Sequence, residues 1–524
     1  MATSTIELEL SSGVWTDVSA DVLARVPVKW SRGIMSSGPQ DLVARPGAMS
    51  FALLNSAANS ANTAGYYSPG HANVRSGFGH GTRARLKIDA GGGVTPRFVF
   101  MGRLRNIAPS PGTTGKGATF CVAEDWLAEF ADYSGGASEL ALVESQRSDQ
   151  LIQDLIDLMD TAPATVDLDT GLSTFPFAFD DLGDQPQLMS IAQDIMQSEG
   201  FGFLYLRGDN STGETLTMEN RHARAKAASA LALAEGSLAY DGGITVPSSL
   251  DRIFNTVETA IYPRRVDSAA TTVLVSLDTS VEIGVGETVT ILADYRDPAN
   301  LASHVGGKSM VTPVASTDYT GNTAADGSGS DITSDLDLST TTFLGSRVNI
   351  KAENTGSVTA FLRGPGSEDG MQIRGKGLYS GYQPIYSLAE NSTSVASFGN
   401  RNLPSTMDLP LQNSQAVGAG AAEFLAHLYG DIQNVPTKCR PLTEIPATLQ
   451  ACIVLDIGDK LTISETQTGV AAGTEVFING VEGEVNGPTV RLTWTLAPAS
   501  TVSVLILDDS VAGKISTINA LGYV

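Results

Sequence analysis

Over most of the chain, apolar and polar positions alternate with a period of two, the spacing of strands that bury one face. IELEL (6–10) alternates, a second strand ends in VPVKWSRG, and Arg45-Pro-Gly predicts a turn before MSFALL (49–54). Asn, Gly and Ser crowd residues 55–82, which predicts a long loop ending near Gly81. RARLKI and RFVFMGRL then alternate again, and FCVAEDWLAEF closes the unit. Residues 1–130 therefore read as a small β-barrel or a strongly curved sheet.

The period changes at 145–250. SDQLIQDLIDLMDTAP predicts an amphipathic helix with Leu151, Leu155, Leu158 and Met159 on one side and Ser148 with Asp149 as its cap. QPQLMSIAQDIMQSEGF predicts a second helix, ended by Gly200, and FGFLYLRGDNSTGETLTMENR a hairpin around Asp209-Asn210-Ser-Thr-Gly213. Strand patterns return over 251–386. RIFNTVETAIYPRRVD reads as one long strand broken at Pro263, and VLVSL, VEIGVGETVTILADY and SRVNIKAENTGSVTAFLRG as short strands of a β-sandwich. The polar stretch 317–342 predicts an exposed loop.

The last quarter predicts a polar strand in SLAENSTSVASFGNRNL and then one helix in PLQNSQAVGAGAAEFLAHLYGDIQNV, capped by Asn413 or Ser414 and stopped by Pro436. Val417, Ala421, Phe424, Leu425 and Leu428 share helical spacing, and the helix is expected to pack on the sheet containing LDIGDKLTI (455–463), anchored by Phe424 and Leu428. Asn479-Gly480 predicts a hairpin turn, and VRLTWTLAP places Val490, Leu492, Trp494 and Leu496 on one side.

Length and charge narrow the picture. A chain of 524 residues exceeds a single core, and the boundaries fall at 1–135, 136–250, 251–385 and 386–524. Charged residues are 17%, Gly is 54 and hydrophobic residues are 42%, which suits a turn-rich β protein and not a disordered one. The net charge of −24 argues against a nucleic-acid-binding surface and against adhesion to an anionic membrane. No apolar run reaches the length of a membrane span, and MATSTIELELSSGVW lacks the features of a signal peptide, so assembly in a cytoplasm is expected.

In their order along the chain, several of these segments resemble a known family. They are the polar strand, the Ala-rich helix, LDIGDKLTI, the Asn-Gly hairpin, TWTLAP and the terminal LDDSVAGKISTINALGYV. At the other end they are VWTDVSADVLARVPVKWSRG, ARPGAMSFALLNS, YYSPG, GTRARLKI and FVFMGRL. The two sets, roughly residues 5–130 and 380–524, are similar to the first and last domains of the tail-hub (minor tail, tail-tip) proteins of long-tailed bacteriophages. The resemblance implies a mainly β, multi-domain α+β chain, with β-barrel or curved-sheet hub domains, an α+β insert and a sandwich-like insert. It implies a homotrimer whose first and last domains form an inner ring of six. The implied partners are a distal tail protein ring, the tape-measure protein and fibre or spike proteins, with DNA passing only through the lumen. The implied location is the virion tail tip, assembled in the bacterial host. The length of 270–380 departs from a minimal hub. The competing readings are a receptor- or glycan-binding fibre and a cell-wall hydrolase.

Candidate chemistry is sparse. Asp326-Gly-Ser-Gly-Ser-Asp331, with Asp337 at the twelfth position, resembles the start of a calcium loop but has strand-like flanks, so a solvated turn explains it better. Asp180, Asp181 and Asp184 are three close carboxylates with no opposing acid, as glycoside hydrolysis would need. His71 and His80 fit no zinc spacing, TGKGAT (114–119) is not a phosphate loop, and RGDN (207–210) is a weak adhesion signal. Cys121, Cys439 and Cys452 read as small buried hydrophobes, with Cys439 and Cys452 able to lie near each other. No catalytic, cofactor-binding or metal-ligating residue is assigned, and no enzymatic activity is expected.

Overall fold

The two ends of the chain meet by strand pairing. Val28–Gly33 runs antiparallel to Thr474–Asn486, with Val28 opposite Val485 and Gly33 opposite Gly480. The computed structural model describes residues 2–36, 38–112, 116–133, 140–180, 182, 186–208, 213–239, 242–366, 368, 370–380, 383–431, 434–499, 503–505 and 519–521. Among these, 13 strands form one sheet. Its N-terminal half runs in the order Val28–Gly33, Arg45–Leu54, Ala118–Glu124, Arg97–Ser110, Arg83–Asp89, Thr3–Ser11 and Val14–Asp17. On the other side of the seam Thr474–Asn486 pairs with Thr489–Pro498, which pairs with Lys438–Cys439. The protein is mainly β, with helices and smaller sheets packed around this one.

Local sequence explains the seam. Trp30 lies opposite Gly483, and a Cβ on that glycine would come 1.9 Å from the indole. The glycine lets a large ring cover the neighbouring strand, and Trp30 is buried there. Asn479-Gly480 is not the hairpin turn its sequence predicts. It is a bulge inside the long strand: the register shifts between Ile478 and Gly480, and the Asn479 carbonyl accepts from Ile34 N at 2.8 Å. Apolar runs on both sides of the Asn-Gly step have partners, so the chain bulges instead of reversing. It reverses at Gly487 (φ +59), between Asn486 and Thr489, which pair with each other. Arg45-Pro-Gly likewise lies inside a strand, Arg45–Leu54, and a register shift between Ser31 and Gly33 accommodates it.

The helices Ser148–Asp157 and Leu188–Ser198 pack in the same core as the large sheet, along with Phe203–Arg207, Thr215–Glu219 and Thr165–Leu168. The first helix ends at Asp157, so Leu158 and Met159 lie beyond it and are half-buried; its inner face is Leu151, Ile152, Leu155 and Ile156. Ser148 is not a cap. It is buried, and its hydroxyl donates to Glu199 at 2.7 Å. Strands between Thr272 and Tyr379 enclose a second core around Tyr295, Val348, Ile350, Leu362 and Ile373. The polar stretch 317–342 contributes short strands and a buried Tyr319 and Leu336 to that core, so it is not simply an exposed loop.

The final helix corrects two expectations. The predicted polar strand splits into a strand, Ile385–Glu390, and a helix, Ser392–Phe398, because the Asn391 side chain caps the helix by accepting from Ser394 N. The long helix, Gln415–Leu428, packs not on LDIGDKLTI but on Thr256–Ile261 and Ile385–Glu390. Gly418 permits this contact: the Thr259 hydroxyl donates to its carbonyl at 2.8 Å, and a Cβ there would touch Ile261. Val417, Ala421 and Leu425 are the buried anchors, and Phe424 and Leu428 are half-buried. Leu425→Ala should therefore cost about 2–5 kcal/mol, and Phe424→Ala distinctly less than the ~3–5 kcal/mol of a fully buried phenylalanine. Urea melts of the two variants check the order.

Candidate functional site

The seam is held from inside by a charge. Val28, Trp30 and Arg32 share the inward side of their strand, so a guanidinium stands on an apolar face. Arg32 donates to the carbonyls of Val99 (2.9 Å) and Leu206 (3.2 Å) and to the Asp456 carboxylate (2.5 Å). Asp456 also accepts from Gly208 N at 3.1 Å and Ile457 N at 2.7 Å. Both residues are buried. Burial alone would push the Asp456 carboxyl up; the Arg32 charge and hydrogen bond outweigh it and hold the group below the usual carboxylate range. One ion pair thus ties together the first strands, the hairpin at 203–219 and the segment before Lys460–Ser464.

RGDN is absorbed into this knot. Gly208 N donates to Asp456, and Arg207 lies 3.5 Å from Asp459; Asp209 and Asn210 are outside the described residues. The other sequence candidates are scattered. Asp180 is buried in a two-pronged pair with Arg264 at 2.7 and 3.0 Å, a structural link between 180 and 264; Asp181 and Asp184 are outside the described residues. Asp326, Asp331 and Asp337 accept from Ser328, Thr333 and Ser339, each two residues onward, in separate exposed or half-exposed turns. His71 accepts from Asn73 N, and His80 meets the Arg105 carbonyl. Of TGKGAT, residues 114–115 are outside the described residues. Cys121, Cys439 and Cys452 are free and buried. Burial raises both Cys439 and Cys452, and Cys452 adds to the shift of Cys439, so the two are neighbours. Among the described residues no cluster of three or more His, Cys, Asp or Glu is placed to hold a metal ion, and no helix is long and apolar enough to cross a membrane.

The solvent face of the seam forms a shallow groove of about 520 Å³ with charged side chains along it. Three bases, Lys29, Arg440 and Arg491, stand among three acids, Glu444, Glu482 and Glu484. They pair across strands: Lys29 with Glu484 (3.7 Å), Arg491 with Glu484 (3.7 Å) and Glu444 (3.4 Å), and Arg440 with Glu444 (3.8 Å). The N-terminal strands repeat the device, with Arg85 on Glu7 (2.5 Å) and Arg83 on Glu9 (3.2 Å). These partly exposed pairs contribute little stability each. Their effect is to leave a broad sheet face hydrophilic and close to neutral.

Two buried acids beside the seam have carboxyls pushed up by their surroundings. Asp125 accepts from Gly47 N at 2.8 Å, and burial together with the nearby Glu214 pushes its carboxyl well up. Burial pushes Glu214 from 4.5 up to about 7, against the favourable charges of Arg83 and Arg103. The sequence signal missed here was the apolar setting of Glu214, GETLTME, between two strands. Arg32 was not singled out in the sequence, and nothing local points to its partner 424 residues away.

Two outcomes follow. Arg32→Ala or Asp456→Ala should each destabilise by about 3–5 kcal/mol, because either leaves a buried charge alone, and the paired replacement by Met and Leu should recover much of the loss. A double-mutant cycle by urea melts measures the coupling. Glu214 has a folded pKa above its unfolded one, so its contribution is full below about pH 4.5 and fades as pH rises through about 7. Glu214→Gln should therefore raise the melting temperature at pH 8 and leave it nearly unchanged at pH 5, with a difference of up to ~3 kcal/mol in stability between the two.

No family model matches the chain, and no curated protein matches it. Among solved structures, it is similar to the 43 kDa tail protein of prophage MuSo2 from Shewanella oneidensis, with 10% identity and a TM-score of 0.45 over 95% of this chain and 97% of that one. It is similar to a tail protein from Neisseria meningitidis MC58, with 7% identity and a TM-score of 0.43 over 94% and 95% of the two chains. It is also similar to an E. coli component of the type VI secretion system, itself described as structurally similar to bacteriophage tail proteins. That likeness has 8% identity and a TM-score of 0.37 over 95% of this chain and 77% of that one.

Proposed function

We propose that this chain is a structural component of a bacteriophage tail tip, a hub that closes around the tail axis as a homotrimer. The observation that carries the reading is the strand pairing of Val28–Gly33 with Thr474–Asn486. The family resemblance rests on the two ends of the sequence and implies that they lie side by side, and in the fold they share one sheet. Three copies would present six such half-sheets to the axis, joining a distal tail ring to a central fibre or spike and meeting the tape-measure protein. The intervening residues 136–385 would stand outside.

The balanced charges on the seam's solvent face suit a lumen. DNA carries one negative charge per about 1.7 Å of duplex, and an unpaired ring of bases there would hold it back. Lys29, Arg440 and Arg491 each have an acid within 4 Å, which leaves little free positive charge. The fibre or glycan-binding reading has less support: no aromatic is among the exposed large apolar side chains of the described residues 270–380. The hydrolase reading loses Asp180 to its ion pair with Arg264.

The test is where the protein sits and what it does there. Electron images of virions carrying a labelled chain should place three copies at the tail tip around the axis. The purified chain should not retain duplex DNA at physiological salt, where screening acts over about 8 Å, and should not degrade cell-wall polysaccharide. A label along a lateral fibre, or turnover lost on Asp180→Asn, overturns the proposal.

A further inference from the structure

A small three-stranded sheet, ordered Ile385–Glu390, Thr256–Ile261, Met407–Leu409, ends at its first strand among the described residues. The direction of that strand's backbone can be read from its bonds. Asn391 N donates to the Asn255 carbonyl, so in the unbroken antiparallel register residues 387, 389 and 391 point toward the neighbouring strand. Alternation then turns the N–H and C=O groups of Tyr386, Leu388 and Glu390 outward along the free edge. Edges of this kind are commonly blocked by a lysine, a proline within the strand, a bulge or a covering element. IYSLAE has none of these inside the strand, and its register with Thr256–Ile261 is unbroken. Two of its three outward residues are apolar and exposed, Leu388 at 69% and Tyr386 at 56%.

The edge opens into a groove of about 800 Å³ whose lining includes Leu388, Glu390, Phe398, Glu423 and His427. The helix Gln415–Leu428 lies over the face that carries Ser387, and the side chains of Tyr386, Leu388 and Glu390 are on the other face. A strand added at this edge would therefore meet two different walls. Alternate side chains would lie against Tyr386, Leu388 and Glu390, and the ones between would meet the helix's exposed Glu423. A chain of net charge −24 is a poor occupant of an acid-lined groove, which disfavours a second copy.

We infer that the free edge of Ile385–Glu390 is a docking site for an extended segment of a second protein, one that alternates apolar residues with Lys or Arg and adds itself as a fourth strand. Main-chain bonds to Leu388 and Glu390 supply the register, and Glu423 on the helix selects the basic residues. The inference does not depend on the tail reading, and the failure of either leaves the other standing.

A fluorescent decapeptide alternating Val and Lys is the probe, with its Val–Glu counterpart as control, measured by anisotropy on the full chain. The Val–Lys peptide should bind with salt-sensitive affinity, and the Val–Glu peptide at least tenfold more weakly. Leu388→Lys, at an exposed position, should weaken binding at least tenfold with an unchanged melting temperature, and Glu423→Gln about threefold. Amide exchange should slow at Leu388 and Glu390 when the peptide binds. Equal binding of both peptides, no binding of the Val–Lys peptide, unchanged binding by Leu388→Lys, or exchange that does not slow at those amides overturns the inference. Self-association of the chain that Leu388→Lys abolishes also overturns it, by making a second copy the occupant.

Discussion

The ion pair between Arg32 and Asp456 is the constraint around which the large sheet is arranged. A buried guanidinium and carboxylate gain little over an apolar pair of the same size, because both lose their water. What the pair does is exclude alternatives. With five hydrogen bonds shared among residues 99, 206, 208, 456 and 457, only one register brings every donor to an acceptor. A slip by one residue at the seam would turn both Trp30 and Arg32 to solvent and leave the buried Asp456 without its cation. The charge therefore specifies how the first strands meet the last ones, and the apolar core around it supplies the stability.

Close approach of backbone and ring works to the same end. Gly483 makes room for the Trp30 indole, and Gly33, at φ +97, brings the Ile34 N–H to the Asn479 carbonyl. The bulge that this carbonyl marks also buries the Asn479 side chain, which accepts from Arg224 at 2.7 Å. Arg224 stacks 3.5 Å from the Phe203 ring and pairs with Glu219. The seam is thus connected through one asparagine to the hairpin 203–219, and the helical insert is locked to the sheet it interrupts in sequence.

The remainder of the chain is attached more loosely to this centre. Residues from Leu274 to Tyr379 keep a core of their own, joined to the rest by contacts such as Lys308 with Glu144 and Gly345 N with the Leu140 carbonyl. An element that folds on its own core can vary in length without disturbing the seam, which suits a part that stands outside an assembly. The paired charges on the open sheet face and the unblocked edge at Ile385–Glu390 are opposite surface designs within one molecule. The first pairs each of its bases with an acid of the same chain, and the second leaves backbone groups for another chain to satisfy.

The sequence by itself determined the elements whose signal is local. Alternation marked Thr3–Ser11, Arg83–Asp89 and Thr489–Pro498, helical spacing marked Leu188–Ser198 and Gln415–Leu428, and Gly200 ended the second helix as its spacing implied. The mainly β class and the helical insert were legible for that reason. It misread features whose outcome depends on a remote partner. Asn479-Gly480 has the composition of a turn and became a bulge because Val28–Gly33 and Thr489–Pro498 hold the strand on both sides. Phe424 has the larger side chain, yet Leu425 is the anchor, because Gly418 sets which side of the helix approaches Thr259. Arg32 and Asp456 each appear in the sequence as an isolated charge. Only the tertiary structure could pair them, since a buried charge specifies that a partner exists but carries no information about which of 57 acids it will be.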